Sequence, residues 1–261
     1  MTTEVRARET ARITAAVVET VERVFDTVVA VHEAALRSLT GDPGAGPGSD
    51  ALGRERPALD LQLQHLLRAS GRLVVGLGLV VAPRPELGLP LRLQWWQVDP
   101  VGGRLRVLEP DLKPASLGYY DYTSADWFDQ PRRTGRRHVV GPYVDVHGTG
   151  QHLLTLTWPV VVAGLFVGVV GADVPVNRFE THLLQVLGPL RYPFVLLEGE
   201  RRVVLSTSSR WLVGDLVPPS VELSGAGVVI TDIPWRLHGL APGGAQQGHP
   251  PGPLPSRPMT L

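Results

Sequence analysis

Four short stretches in the middle of the chain carry most of the information about its fold. Residues 119–131 read Tyr-Tyr-Asp-Tyr-Thr-Ser-Ala-Asp-Trp-Phe-Asp-Gln-Pro, and residues 141–146 read Gly-Pro-Tyr-Val-Asp-Val. Residues 155–160 read Thr-Leu-Thr-Trp-Pro-Val, and residues 164–174 read Gly-Leu-Phe-Val-Gly-Val-Val-Gly-Ala-Asp-Val. The last two stretches predict buried strands rather than a membrane span, because the apolar run is short and Asp173 interrupts it.

Turn sequences on either side of these stretches predict an antiparallel sheet. Ala163-Gly164 separates two apolar runs as a hairpin turn would, and an Asp-Pro-Val-Gly-Gly turn at 99–103 separates two others. The predicted strands cover residues 73–82, 91–98, 105–108, 151–162, 165–174 and 194–205. Predicted helices cover residues 57–70 and 177–187. Helices beside a mostly antiparallel sheet indicate an α+β fold.

One long helix is predicted from Glu4 to Leu39. Its apolar stripe follows steps of three and four residues and consists of Ile13, Val17, Val21, Val24, Val28 and Val31. Because the spacing is close to a heptad repeat, the stripe could be the seam of a homodimer. It could equally lie across the chain's own domain, and the pattern favours neither alternative.

The composition excludes several classes of function. The 25 basic and 25 acidic residues balance, so no charge excess predicts a nucleic-acid or membrane partner. The sequence has no cysteine, which excludes disulfides, zinc-thiolate sites and cysteine nucleophiles. The first residues carry mixed charge rather than an apolar signal, so the expected location is cytoplasmic.

The four stretches together resemble the ligand-binding part of Cache domains, the PAS-like sensor family, and in particular double-Cache type 1. In that family an aspartate and a Trp-Tyr pair precede a Gly-Pro-Tyr-x-Asp element, and a glycine-rich hairpin ending in aspartate closes the sheet. The resemblance covers about residues 70–190, as one module. It implies a non-catalytic sensor with a PAS-like central antiparallel sheet and the long N-terminal helix packed across it.

The same resemblance implies which residues bind a ligand. In amino-acid-binding members, arginines before the tryptophan hold the ligand carboxylate, but Thr123 and Ala125 stand at those places here. The ammonium-binding aspartates and tyrosine are retained. The expected site residues are Trp127, Tyr143, Asp145 and Asp173, with Asp126, Phe128, Tyr120, Trp95 and Thr155 nearby.

Elementary chemistry agrees with an amine as the expected ligand. Asp173 stands in an apolar strand, where a carboxylate needs a cation or several donors. A ligand ammonium supplies three donors and a full charge, and aromatic rings add cation–π contacts. Each residue also has a structural interpretation: Asp173 could cap the next helix, Asp145 could be a turn residue, and Trp127 and Phe128 could be core aromatics.

Other functions are left open as alternatives. The first is an amino-acid-binding Cache module that holds the carboxylate with Thr155, Thr157 or backbone amides. An amine-metabolising enzyme would need groups that the sequence does not supply, and a scaffold with a vestigial pocket is a further alternative. His138, Asp145, His147 and His152 lack a metal-binding spacing, so neither a metal nor a cofactor is expected. A downstream signalling partner is expected, of unknown identity.

Three segments are expected along the chain. Residues 1–40 form the long helix, and residues 50–215 form the ligand-binding domain. Residues 216–261 form an irregular extension that is rich in proline and glycine and disordered after residue 240.

Overall fold

The computed structural model describes residues 3–40, 56–84, 90–146, 150–221, 223, 227–230 and 232–240. The helices described are α1 (Thr3–Thr40), α2 (Pro57–Ala69), α3 (Asp126–Thr134) and α4 (Val176–Leu187). The strands are β1 (Gly76–Val81), β2 (Arg92–Val98), β3 (Leu105–Val107), β4 (His138–Val144), β5 (His152–Val162), β6 (Leu165–Pro175), β7 (Phe194–Glu198), β8 (Val203–Ser206), β9 (Val228–Val229) and β10 (Trp235–Gly239).

The main sheet has six strands in the order β3-β2-β1-β6-β5-β4, and every neighbouring pair is antiparallel. The β5–β6 hairpin turns at Ala163 and Gly164, which both have positive φ angles, of 50° and 77°. Two positive φ angles are typical of a type I′ turn, whose twist matches that of the strands it joins. The predicted α+β class with a PAS-like antiparallel sheet is confirmed.

The long helix α1 crosses one face of this sheet. Its apolar stripe from Ile13 to Val31 is buried, with no member more than 3% exposed. The helix packs against β5, β6, α2 and α4 of its own chain. The stripe therefore belongs to the core, where burial of each valine contributes about 1.5–3 kcal/mol. A dimer seam built from these residues is wrong, because they are already covered, and homodimerisation itself stays a prediction.

A second, smaller sheet follows α4 in the order β8-β7-β10-β9. The central strand β10 pairs with β7 from Trp235↔Glu198 to Gly239↔Phe194. Trp235 and Leu237 face the α1 side of the core, and Phe179 of α4 makes an edge contact with the Trp235 ring. The sequence predicted an irregular extension from residue 216. That prediction is wrong for the residues of β9 and β10, which are strands of the second sheet. The disorder expected after residue 240 concerns residues that lie outside the described ranges.

The face of the main sheet opposite α1 is covered by α3 and the loop before it. Alternation along the strands separates the two faces: Ala172 and Val174 point towards α1, whereas Asp173 and Gly171 point the other way. On that second face lies an aromatic cluster that includes Trp95, Tyr122, Trp127 and Phe128. We call this surface of the sheet the aromatic face.

Candidate functional site

Asp173 occupies the middle of a polar row that crosses the aromatic face. The strand register places Thr155 of β5 on one side of Asp173 and Gly76 of β1 on the other. Gln97 of β2 and Arg106 of β3 continue the row beyond Gly76. Paired residues on neighbouring antiparallel strands point to the same side, so these side chains share one face. We call them the first row.

Thr155 links Asp173 to Tyr143. The Thr155 hydroxyl donates to Asp173 Oδ1 at 2.7 Å, and the Tyr143 hydroxyl lies 2.7 Å from Thr155 Oγ1. A threonine hydroxyl has one proton, so when Thr155 donates it to the carboxylate, Tyr143 must be the donor of the second bond. The tyrosine, threonine and aspartate thus form one chain of hydrogen bonds that ends on the carboxylate.

A β-bulge in β4 brings Tyr143 to the aromatic face. Val140 pairs with Thr155 and Tyr143 pairs with Leu153, so three steps along β4 match two steps along β5. Without the extra residue, Tyr143 would point to the opposite face, because a shift of one residue reverses every side chain. Gly141 makes the bulge possible: its φ is 115°, and an added Cβ would lie 2.4 Å from the Leu153 carbonyl oxygen.

The indole of Trp95 lies across the sheet towards Asp173. A Cβ added at Gly76 would be 2.8 Å from Trp95 Nε1 and 3.0 Å from Asp173 Oδ2. A Cβ added at Gly171 would be 3.3 Å from Trp95 Cη2. The two glycines therefore leave the room in which the ring lies. Its N–H faces the Asp173 carboxyl and helps to lower the pKa of that group.

Burial and a second carboxylate dominate the electrostatics of Asp173. Burial raises its pKa from 3.8 to about 7; the Thr155 hydrogen bond opposes this change and the nearby charge of Asp145 adds to it. Asp145 follows β4, where its backbone bonds to Gln151 and Gly150 close the β4–β5 turn. Two neighbouring carboxylates, one of them buried with a raised pKa, attract a bound cation strongly.

Two tyrosines complete the polar cluster. Burial raises the pKa of Tyr143 well above its usual range, and the charges of Asp173 and Asp145 raise it further. Burial also raises the pKa of Tyr120, against a hydrogen bond with Trp127, and the same two carboxylates add to that increase. Both phenols therefore stay protonated and act as hydrogen-bond donors beside the aspartates.

The structure brings most of the expected site residues together and leaves two apart. Trp95, Tyr120, Trp127, Tyr143, Asp145, Thr155 and Asp173 form the cluster described above. Asp126 is exposed in the first turn of α3, where its charge acts on His138. Phe128 is 1% exposed and packs between Tyr122, Trp127 and Phe166, so it serves the core.

The structural alternatives for the two aspartates have different outcomes. Asp173 makes no capping bond to α4, whose N-cap is Pro175. Asp145 does take part in a turn through its backbone while its side chain belongs to the cluster. Of the four residues considered for a metal, His147 lies outside the described residues. Among the described residues, no group of three or more metal-binding side chains comes together.

Thr157 also lies on the aromatic face. The sequence could not show that its hydroxyl lacks a hydrogen-bond partner among the described residues. Thr157 follows Thr155 by two positions and is fully buried. The alternation of polar residues at 155 and 157 in an otherwise apolar strand is the pattern that marks it. The glycines at positions 76, 141 and 171 were also not identified as site residues by the sequence pattern.

One protein family matches part of the chain. Residues 108–181 match the family described as methyl-accepting chemotaxis protein-like, first PDC sensor domain. This segment includes α3, the β4 bulge, Asp145 and Asp173. No curated protein matches the sequence.

Solved structures show the same fold. The chain is similar to the ligand-binding domain of the Pseudomonas aeruginosa PAO1 amino acid chemoreceptor PctC in complex with GABA, at 18% identity and a TM-score of 0.53, covering 88% of this chain and 97% of that one. It is also similar to the ligand-binding domain of the Pseudomonas fluorescens chemoreceptor CtaA in complex with L-valine, at 16% identity, a TM-score of 0.53 and coverage of 87% and 91%. A methyl-accepting chemotaxis protein X matches at 17% identity and a TM-score of 0.54, covering 85% of this chain and 77% of that one.

The chain thus has the fold of Cache/PDC ligand-binding domains, and residues 108–181 resemble a PDC sensor domain. The resemblance to Cache domains that the sequence indicated is confirmed at this level. In the described part of the chain, none of the helices has the combined length and apolar content that a bilayer crossing needs.

Proposed function

We propose that this chain is a non-catalytic sensor domain that binds a small amine through its ammonium group. The observation that carries the proposal is the buried carboxylate of Asp173, whose pKa is raised to about 7 and which accepts from Thr155 and feels Asp145. A ligand ammonium would supply the missing positive charge and further donors to both carboxylates. Tyr120 lies within the influence of both carboxylates and shares a hydrogen bond with Trp127, so these two rings are our candidates for cation–π contacts.

Specificity for an amine over an amino acid follows from the side chains at the carboxylate end. Thr123 donates to its neighbour Asp121 through its backbone and its hydroxyl, and Ala125 carries no polar group. Neither position supplies the arginine that would attract a ligand carboxylate. Without the arginine, the site also lacks a positive charge that would repel a ligand carrying only an ammonium group. The binding preference therefore moves from amino acids towards amines.

An amino acid is the second candidate ligand, because the two similar chemoreceptor domains were solved with GABA and with L-valine. In this alternative, the carboxylate would be held by neutral donors of the aromatic face such as Thr157. Location in the cytoplasm, homodimerisation and a downstream partner remain predictions for the whole protein.

Calorimetry at pH 8 distinguishes the two candidates. Each amino acid is compared with its decarboxylated amine: L-valine with isobutylamine, and 4-aminobutyrate with n-propylamine. We expect the amines to bind and Asp173→Asn to weaken them by about 2–5 kcal/mol, the usual cost of truncating one partner of a buried charge pair. The exposed Asp126→Asn is the matched control and should bind as the wild type does.

Two results would contradict the proposal. If no primary amine gave heat, or if all bound equally well to Asp173→Asn, the ammonium site would be wrong. If each amino acid bound far more tightly than its amine, the amino-acid sensor would replace the amine sensor.

A further inference from the structure

Thr157 lies on the aromatic face one step along β5 from the polar row of Asp173. It pairs with Gly171 of β6 and with His138 of β4, and Gly171 in turn pairs with Gly78 opposite Trp95. These residues form a second row beside the first. Successive residues on one face of a strand are about 6.7 Å apart, so the second row lies at about that distance from the first.

The hydroxyl of Thr157 is a buried polar group without a partner. The residue is 0% exposed, and its Oγ1 makes no hydrogen bond with any described residue. Its methyl group is held against Gly171, where an added Cβ would lie 2.9 Å from Thr157 Cγ2. An unsatisfied buried hydroxyl costs about 1–3 kcal/mol, so a threonine here destabilises the unliganded protein relative to valine.

Trp95 lies on the β1 side of Asp173 and does not compete for the same role. The residue is 4% exposed, and its indole N–H faces the Asp173 carboxyl, whose pKa it lowers. Thr157 stands on the β5 side. Its hydroxyl is the buried donor for which no acceptor is found among the described residues.

The charges around the two rows decide which acceptor fits. Burial lowers the pKa of His138, so this neighbour of Thr157 is neutral at pH 7. Arg106 stands at the far end of the first row, where it donates to the Gln97 carboxamide oxygen at 2.9 and 3.1 Å. A ligand carboxylate beside Thr157 would meet the negative charges of Asp145 and Asp173, and no cation of the described residues acts on Asp173 or Tyr143. A neutral carbonyl oxygen avoids that repulsion and still accepts from a hydroxyl.

The geometry points to Thr157 as a specificity-determining residue that binds a neutral carbonyl oxygen of the ligand. The inference rests on the proposed ammonium site at Asp173 and narrows its ligand. The ligand class becomes a short aliphatic amine with an amide or similar carbonyl group at the other end. The approximate spacing of the two rows suits a chain of a few carbons between the two groups.

Matched ligands and variants test the inference by calorimetry at pH 8. The probes are 4-aminobutanamide, its hydrocarbon isostere 4-methylpentan-1-amine, and 4-aminobutyrate. We expect the wild type to bind the amide about tenfold more tightly than the isostere, the usual size of one to two hydrogen bonds. Thr157→Val should reduce this preference and leave the affinity for the isostere unchanged.

A stability measurement separates a ligand contact from a structural role. Thr157→Val should leave the melting temperature of the unliganded protein unchanged or raise it, because it removes an orphaned hydroxyl. Thr20→Val is the matched control on α1, where the hydroxyl donates to the Ala16 carbonyl at 2.7 Å. That variant should lower the melting temperature and keep the amide preference.

The inference is overturned if Thr157→Val keeps the preference for the amide, or if 4-aminobutyrate binds more tightly than 4-aminobutanamide. In both cases the ammonium site could still stand, and Asp173→Asn would show whether it does, since that variant should lose the amide and the isostere alike. If the wild type bound neither amine, the proposed function and this inference would fail together.

Discussion

The Thr155 hydroxyl donates to Asp173 Oδ1 at 2.7 Å, and the indole N–H of Trp95 also lowers the pKa of that carboxyl. Neutral donors compensate only part of the cost of burying a charge. The raised pKa of Asp173, about 7, reflects this imbalance. A bound cation would therefore stabilise the ionised form of Asp173, whereas ionisation without a cation costs free energy.

The first prediction concerns stability and pH. Because burial raises the pKa of Asp173 from 3.8 to about 7, the native state holds its proton more tightly than the unfolded state does. The stabilisation relative to Asp173→Asn should be complete below pH 4 and lost as the pH rises to about 7. Over this window the difference amounts to about 4 kcal/mol. Urea unfolding of both proteins at several pH values measures it.

Asp99→Asn serves as a control of opposite sign. Hydrogen bonds from the Gly102 and Val101 amides lower the pKa of Asp99, so its contribution should grow as the pH rises. If Asp173→Asn and the wild type had parallel pH profiles, the Asp173 carboxylate would not be desolvated as described.

The second prediction concerns pH and ligand binding. An ammonium ligand favours the ionised form of Asp173, so binding at pH 6 must remove a proton from it. Affinity for n-propylamine should therefore rise with pH by up to about tenfold per unit below pH 7 and level off above it. Calorimetry in buffers with different ionisation enthalpies should show proton release at pH 6 and little at pH 8.5. Affinity that does not change between pH 6 and 8 would contradict a contact with Asp173.

Much of the fold could be predicted from the sequence because periodicity and turns were clear. Steps of three and four residues gave α1, and Ala163-Gly164 gave the β5–β6 hairpin. The stripe on α1 could not be assigned to a dimer or to the core, because both environments select the same apolar spacing. The strands β9 and β10 were missed because Val228–Val229 is short and Trp235–Gly239 alternates polar and apolar residues amid prolines and glycines.

Most of the residues that cluster around Asp173 could be picked out from the sequence, but their geometry could not. Asp173 stood out as a carboxylate in an apolar strand, and the Gly-Pro-Tyr-x-Asp element marked Tyr143 and Asp145. The face to which Tyr143 points depends on the bulge after Val140, and register shifts cannot be counted from one strand alone. The core role of Phe128 and the exposure of Asp126 likewise depend on how α3 sits on the sheet.

The third prediction tests the bulge through Gly141. Gly141→Ala places a Cβ 2.4 Å from the Leu153 carbonyl oxygen at a φ of 115°, so the backbone must shift. We expect a loss of about 2–4 kcal/mol in the free energy of unfolding and weaker amine binding, because Tyr143 moves away from Thr155.

Gly135→Ala is the matched control for Gly141→Ala. Gly135 also has a positive φ, of 66°, but an added Cβ meets nothing within 4 Å. It should cost only about 1 kcal/mol and leave binding unchanged. Equal losses in the two variants would show that the φ angle alone, and not the close approach at the bulge, is responsible.

The fourth prediction concerns the contact between α1 and the start of β4. Arg137 donates two hydrogen bonds to the Glu22 carboxylate, at 2.6 and 2.7 Å, and its guanidinium lies 4.4 Å from the centre of the Phe25 ring. A lysine cannot reproduce both the paired hydrogen bonds and the stacking. Arg137→Lys should therefore lower the free energy of unfolding by about 1 kcal/mol, and a double-mutant cycle with Glu22→Gln should give a coupling of similar size.

The exposed pair of Arg8 with Glu4, within α1, is the control for this prediction, and its double-mutant cycle should give a coupling near zero. Equal couplings for the two pairs would show that the geometry at Arg137 adds nothing to an ordinary surface ion pair.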